Sequence, residues 1–147
     1  MIIREAQTED IDSICELLSM LFEQEAEFKP DFETHLKGVR EIVTHSKNGK
    51  FFVMEDSGEI VGIVSLLFLV STALGGNVAL LEDLVLAKHV RRQGFGTKLL
   101  EFAVKYAQDN ECMRITVLTD KDNLAAQSLY QKVGFQYSKM IPMRLML

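Results

Sequence analysis

The sequence is poor in the features that mark several large functional classes. It has only two cysteines, Cys15 and Cys112, which stand alone with no metal-ligand spacing around them. Its three histidines, His35, His45 and His89, form no H-E-x-x-H pattern. No metal is therefore expected, and a reduced, cytoplasmic protein is. The longest apolar run, Ile60 to Ala73, is broken by Gly62, Ser65, Ser71 and Thr72 and is too short to span a bilayer, so no membrane partner is expected. The start, Met1-Ile2-Ile3-Arg4-Glu5, lacks the layout of a signal peptide. Positive charge is in deficit, with 16 Lys and Arg against 21 Asp and Glu and a formal net charge of −5, which argues against a nucleic-acid partner. There is no internal repeat, low-complexity tract or linker.

What remains is an ordinary globular composition. A chain of 147 residues, 48% hydrophobic and 25% charged, is long enough for one core and short of two, so residues 1–147 are expected to form a single domain. Strands and helices alternate along it. Ile2 to Ala6 reads as a strand, and Thr8 as the N-cap of a helix with Ile11, Ile14, Leu17, Leu18 and Leu21 on one face. A second helix is expected over Phe32 to Thr44. Phe51 to Glu55 and Glu59 to Leu69 read as a hairpin around Asp56-Ser57-Gly58, and Val78 to Leu86 as a further strand. A helix from Thr97 to Gln108 buries Leu99, Leu100, Ala103, Val104 and Ala107, with Glu101 and Lys105 set to pair outside. Arg114 to Leu118 is expected as a strand, Asn123 to Val133 as a helix ended by Gly134, and Phe135 to Lys139 and Met143 to Leu147 as closing strands. The fold class is α/β, a mixed sheet with helices on both faces.

The most informative stretch is Arg91-Arg92-Gln93-Gly94-Phe95-Gly96-Thr97, between the expected strand and helix. A helix N-terminus offers unsatisfied N–H groups and the positive end of the dipole, a suitable seat for pyrophosphate. The two glycines permit close approach to the backbone, and Arg91 and Arg92 bring charge of the right sign. Two look-alikes are excluded. The dinucleotide fingerprint needs a glycine where Leu99 stands, and the phosphate loop of nucleotide triphosphatases needs Gly-Lys-Ser/Thr where the chain reads Gly96-Thr97-Lys98.

A second motif lies about thirty residues on. Asn123 to Phe135 has the form N-x-x-A-x-x-L-Y-x-x-x-G-F. Together with R-x-x-G-x-G at Arg91 to Gly96 and the strand Leu81-Glu82-Asp83-Leu84-Val85-Leu86, it resembles the acetyl-CoA-binding half of the GCN5-related N-acetyltransferases, the GNAT family. The resemblance is detailed from about Leu80 to Phe135, and implies a mostly antiparallel central sheet in a single domain. It implies acetyl-CoA as co-substrate and direct attack of an amine on the thioester, without an acyl-enzyme.

The resemblance also distributes roles. Backbone groups of Leu84, Val85 and Leu86 would pair with the pantetheine arm, and Gln93, Gly94, Phe95, Gly96 and Thr97 would direct N–H groups at the pyrophosphate. Arg92 stands where many members carry glycine and would add charge for a cofactor phosphate. Asn123 is a natural helix cap and, by resemblance, a contact of the cofactor arm. Ala126 would be small to admit the cofactor. Tyr130, two turns beyond Asn123, would donate a proton to the departing thiolate; a core-packed tyrosine is the plain alternative. Glu82 and Asp83 are adjacent, so strand alternation sends them to opposite faces. A likeness to diamine acetyltransferases, which also carry L-E-D here, favours Glu82 as base or amine anchor, against a plain strand-end carboxylate.

Acceptor identity is less legible. The segment Glu23-Gln24-Glu25-Ala26-Glu27, with Asp31 and Glu33, would attract a cationic amine, or simply be a solvated acidic helix end. The expected function is transfer of acetyl from acetyl-CoA to a primary amine of a small molecule, cationic or not, or of a protein. The alternative is a non-catalytic acetyl-CoA-binding or sensing domain. Family members often dimerise through C-terminal strands, and the apolar, Met-rich end Met140 to Leu147 fits a homodimer, or equally an inner strand of a monomer.

Overall fold

The computed structural model describes residues 1–24 and 31–147. The chain runs β1 (Ile2–Glu5), a 3₁₀ turn (Thr8–Asp10), α1 (Ile11–Gln24), α2 (Phe32–Thr44), β2 (Gly49–Asp56), β3 (Glu59–Ser71), β4 (Gly76–Leu86), a second 3₁₀ turn (Lys88–Val90), α3 (Phe95–Asp109), β5 (Ile115–Val117) and α4 (Leu124–Val133). The five strands lie in sequence order; β1 to β4 pair antiparallel and β5 joins β4 in parallel. The parallel step is the one place where a helix, α3, must carry the chain back along the sheet.

Local chemistry sets most element ends. Asp31 caps α2, its carboxylate accepting from the Thr34 N–H at 3.3 Å and hydroxyl at 2.7 Å. The turn between β2 and β3 carries positive φ at both Ser57 and Gly58, the geometry that matches strand twist in a two-residue hairpin. The 3₁₀ turn before α1 is capped by Gln7, one residue earlier than the expected Thr8, because the Asp10 carboxylate reaches back to the Gln7 N–H at 2.7 Å. Lys105 pairs with Asp109 at 2.6 Å rather than with Glu101, offsetting an acid placed at the unfavourable end of the helix dipole.

β2 and β3 are buried on both faces. On one side Phe52, Met54, Val64 and Leu66 pack with Leu99 and Leu100 of α3 and Tyr130 of α4. On the other, Phe51, Val53 and Ile63 pack with Ile11, Ile14 and Leu18 of α1 and Val39 of α2. Helices therefore cover both faces of a mixed sheet, as the alternating pattern implied. Among the described residues no helix is long and apolar enough to cross a membrane.

The closing strands do not form. Neither Phe135–Lys139 nor Met143–Leu147 is paired with the sheet, and Met140, Ile141, Met143, Leu145, Met146 and Leu147 are exposed. An apolar pattern shows that a segment needs cover; it becomes a strand only when an edge accepts its hydrogen bonds. Of the acidic run at 23–27, residues 25–27 lie outside the described residues, and Glu23 and Gln24 fall at the end of α1.

Arg4 fastens β1 to its surroundings. Its guanidinium grips both Asp10 oxygens, at 2.8 and 3.0 Å, while Nε meets Glu55 at 3.0 Å. The Arg4 hydrogen bond holds the Asp10 carboxyl below its ordinary pKa, against the opposing effect of burial. A carboxyl depressed in the folded state stabilises above the unfolded value of about 4 and loses that contribution as pH falls through the folded one. Asp10→Asn should therefore destabilise by about 1–3 kcal/mol at pH 7. In urea melts the deficit should stay constant down to about pH 5 and shrink below about pH 4; a deficit independent of pH would refute the ion pair's contribution.

Candidate functional site

The site begins where two strands part. The β4–β5 ladder covers only Ala79↔Ile115, Leu80↔Thr116 and Leu81↔Val117. Beyond Leu81, β4 continues to Leu86 paired with β3 alone, so its other edge is open. On the β3 side Ala87 N–H bonds Val61 O at 2.8 Å, and antiparallel bonding repeats every second residue. Val85 thus spends its backbone groups on β3, and its side chain is buried among α1 and α2 residues. Leu84 and Leu86 turn theirs to the open edge, where Arg91 Nε already meets Leu86 O at 2.9 Å. Of the three strand residues expected to hold an extended arm, Leu84 and Leu86 are the two with suitable backbone direction.

At the parting point β4 carries a bulge. Val64 pairs with Leu84 and Leu66 with Leu81, so Ser65 faces both Glu82 and Asp83. Leu81 and Leu84 pack on the same α3/α4 side, which simple alternation would forbid. The extra residue cancels the expectation that Glu82 and Asp83 point to opposite faces. Asp83 instead bonds Ser65, whose neighbour Ile63 and cross-strand partner Phe51 belong to the α1/α2 side. Ser65 Oγ donates to Asp83 Oδ2 at 3.0 Å and accepts from the Asp83 N–H at 3.1 Å. Asp83 is 9% exposed, whereas Glu82 is open to solvent. Ser65 carried no signal in the sequence beyond being a polar residue in an apolar run.

Tyr130 approaches from the α4 side. It is 8% exposed, its ring 5.6 Å from that of Phe135. Burial, with the charge of Asp83 adding, pushes its pKa up to about 12. Among the described residues its hydroxyl finds no hydrogen-bond partner. Asn123 caps α4, its side-chain oxygen accepting from Ala126 N–H at 3.1 Å, and Ala126 is half-buried against the α3/α4 core.

The loop between β4 and α3 is held in an unusual shape. Arg92 has φ +60° and Gly94 φ +83°. A non-glycine residue in the left-handed region stores of order 1 kcal/mol and is found at ligand clamps. Gly94 caps α3 with no side-chain bond, and a Cβ there would meet no protein atom within 4 Å. Its carbonyl receives the Lys98 N–H, so the N–H groups of Phe95, Gly96 and Thr97 have no partner within the helix. Gln93 is tied to the His89 carbonyl through Nε2 at 3.1 Å. Gly96 has a packing duty as well: a Cβ would sit 3.4 Å from both Leu129 and Leu86, so its smallness lets α3 close on β4 and α4. Arg91, Arg92 and Lys98 surround this N-terminus with positive charge. Free N–H groups, an empty space above Gly94 and an open strand edge leading to it suit a pyrophosphate joined to an amide-bearing arm.

Comparison with known proteins bears on the family and the fold. The model described as the Acetyltransferase (GNAT) family matches residues 11–135. The chain is 30% identical over 138 residues to the uncharacterized N-acetyltransferase YhfO of Bacillus subtilis (strain 168), covering 92% of this chain and 90% of that protein. It is 32% identical over 89 residues to N-acetyltransferase family 8 member 2 of Rattus norvegicus, covering 60% of this chain but only 39% of that protein. The solved structure of an aminoglycoside N-acetyltransferase, AAC(6')-Iy, in complex with CoA superposes with a TM-score of 0.82 over 99% of this chain and 93% of that one; at 17% identity the likeness is of fold.

Two measurements probe the geometry. Gly94→Ala fills the space above the helix N-terminus and adds a left-handed strain of about 1–2 kcal/mol. CoA affinity by calorimetry should fall at least tenfold, with the circular-dichroism spectrum unchanged; undiminished affinity would place the pyrophosphate elsewhere. Asp83→Asn removes the charge that assists in holding Tyr130 protonated. In an ultraviolet phenolate titration the last tyrosine to ionise should then do so at lower pH, though still above the ordinary value near ~10 because burial remains. An unmoved titration would show that the two groups do not sense each other.

Proposed function

The chain belongs to the acetyltransferase (GNAT) family, acyltransferases that use acetyl-CoA, and we propose that it passes the acetyl group directly to a primary amine. The acceptor in this reading is a small, cationic molecule or a protein amine. The reading is supported by the open edge of β4 in the gap beyond Leu81, where β4 leaves β5, together with buried Tyr130, which senses the charge of Asp83. A thioester lying in that gap would have a proton donor behind its sulfur and carboxylates in front of its carbonyl.

Each residue then has a physical task. Leu84 and Leu86 hold the arm by backbone bonds, Gly94 to Thr97 with Arg91, Arg92 and Gln93 seat the pyrophosphate, and Asn123 and Ala126 line the far side. An amine attacks only when neutral, and an alkylammonium is protonated at pH 7, so a proton must leave on approach. Glu82, open to solvent, accepts that proton directly or through water and passes it on. Asp83, fixed by Ser65, supplies a stationary negative charge that favours a cationic acceptor. The same charge, added to burial, keeps Tyr130 protonated across the neutral range, ready to neutralise the thiolate as the C–S bond breaks. Burial raises the pKa of Cys15 to about 11 and that of Cys112 as well, which suits direct transfer rather than an acyl-cysteine.

The reading carries a cytoplasmic location, where the two free thiols stay reduced. It also carries a homodimer, supported by the exposed apolar C-terminal segment. The Asp31 carboxylate, which the sequence offered to a cationic acceptor, is engaged as the α2 cap.

Release of CoA in the presence of polyamines, amino sugars, and lysine peptides tests the proposal. CoA binding without turnover on any amine would replace it with a sensing domain. With a turned-over amine in hand, Tyr130→Phe removes only the hydroxyl, and kcat should fall about 10²–10⁴-fold with acetyl-CoA affinity nearly constant. A wild-type kcat, where chemistry limits turnover, would reduce Tyr130 to a packing residue.

A further inference from the structure

The chain just after α4 is tied to the turn just before it. Gly134, at φ +119°, ends α4 and lets the chain fold back toward the helix. Phe135 then sets its ring 5.6 Å from that of Tyr130, and its N–H bonds the Tyr130 carbonyl at 3.0 Å. Two residues on, the Tyr137 hydroxyl donates to Gln127 Oε1 at 2.6 Å, ten positions back in the sequence. Gln127 in turn donates from Nε2 to the carbonyls of Asp120 and Lys121, both at 3.0 Å. Those carbonyls fix the orientation of the amide, because a flipped one would face two acceptors with a third.

The turn held in this way leads into Asn123. Residues 118–122 follow β5 where it has already parted from β4, so no ladder supports them. Among the described residues, Gln127 supplies the only side-chain bonds to this turn. Its main chain closes through Asn123 N–H to Asp120 O at 3.1 Å and Leu124 N–H to Asp122 O at 3.0 Å. The Asn123 side-chain oxygen is taken by the Ala126 N–H, which leaves the amide N–H groups of Asn123 to meet a carbonyl of the pantetheine arm.

We propose that Gln127 and Tyr137 are positioning residues for acetyl-CoA: the pair braces the turn at 118–122 and so sets Asn123 where it meets the arm. This rests on the acetyl-CoA reading above and adds that the chain beyond α4 contributes to cofactor affinity. Tyr137 acts through Gln127, and Gln127 through the turn. An amide suits the task, since two carbonyls need two donors from one point and Tyr137 needs an acceptor on the same planar group. A glutamate of the same shape brings no donor when ionised.

CoA titrations by calorimetry on the full chain test this without any acceptor amine. Gln127→Ala places a good helix former in α4, so the fold should persist. It should bind CoA about two- to tenfold more weakly than wild type, the range for one or two lost hydrogen bonds. Gln127→Glu should bind more weakly still, because its carboxylate repels the two carbonyls. Tyr137→Phe should also weaken binding, but should add nothing to Gln127→Ala, since it acts only through that residue. Hydrogen exchange separates positioning from general support. In free Gln127→Ala the Asn123 and Leu124 amides should exchange faster, while those inside α4 keep wild-type protection. Wild-type CoA affinity in both Gln127 variants overturns the proposal and leaves the cofactor reading in place. Weakened affinity with protection lost throughout α4 overturns it too, as a purely structural role. An additive Tyr137→Phe effect removes Tyr137 from the pair. A wild-type chain that binds no CoA overturns both the proposal and the reading beneath it.

Discussion

Everything at the candidate site depends on β4 and β5 ceasing to pair after Leu81 and Val117. A parallel ladder continued to Leu86 would consume the backbone groups that now face the open edge. The separation is sustained from both ends. The bulge at Glu82–Asp83 increases local twist just where the ladder stops, and α3 and α4 pack against the face that carries Leu81 and Leu84. Gly96 lets α3 come within contact of Leu86 and Leu129, bringing the helix N-terminus to the lower end of the same edge. One interruption of regular structure thus supplies a slot for an extended arm and a route to an anion seat.

The bulge has an electrostatic consequence as well. Burying Asp83 is unfavourable unless its oxygens are bonded, and Ser65 supplies a donor while accepting from the Asp83 amide. The resulting charge is felt by Tyr130 of α4, whose phenol is already hard to ionise because it is buried. Two groups are therefore linked in one cluster: a buried carboxylate bonded to Ser65 and a phenol kept neutral by burial with that charge nearby. The opposite unfavourable state, a phenolate beside a carboxylate, is excluded by like-charge repulsion.

Much of this was legible in the residues. Asn123 and Gly134 bracket α4 as their side chain and backbone dictate, and the glycine loop announced the start of α3, which lies at Phe95 after the left-handed Gly94 rather than at the expected Thr97. Tyr130 falls on the face of Asn123 by helical spacing alone. Other features were not. The pairing of Lys105 depended on which of two acids lay nearer, and both spacings are four residues. Alternation set Asp83 on the face opposite Glu82, and only a register shift against β3 placed both across from Ser65. The C-terminal apolar pattern announced a segment needing cover without saying which surface provides it.

The sequence by itself determined what is local: where helices start and stop, which faces are apolar, and that a glycine loop with two arginines opens a helix. These follow from dihedral preferences, hydrogen-bonding side chains and periodicity, all carried by neighbours within a few residues. Only the tertiary structure decided which backbone edges stay unpaired, which side of the sheet Asp83 faces, and where Ser65 sits. Those depend on register between strands far apart in the chain, and a shift of one residue there reverses every direction that alternation assigns.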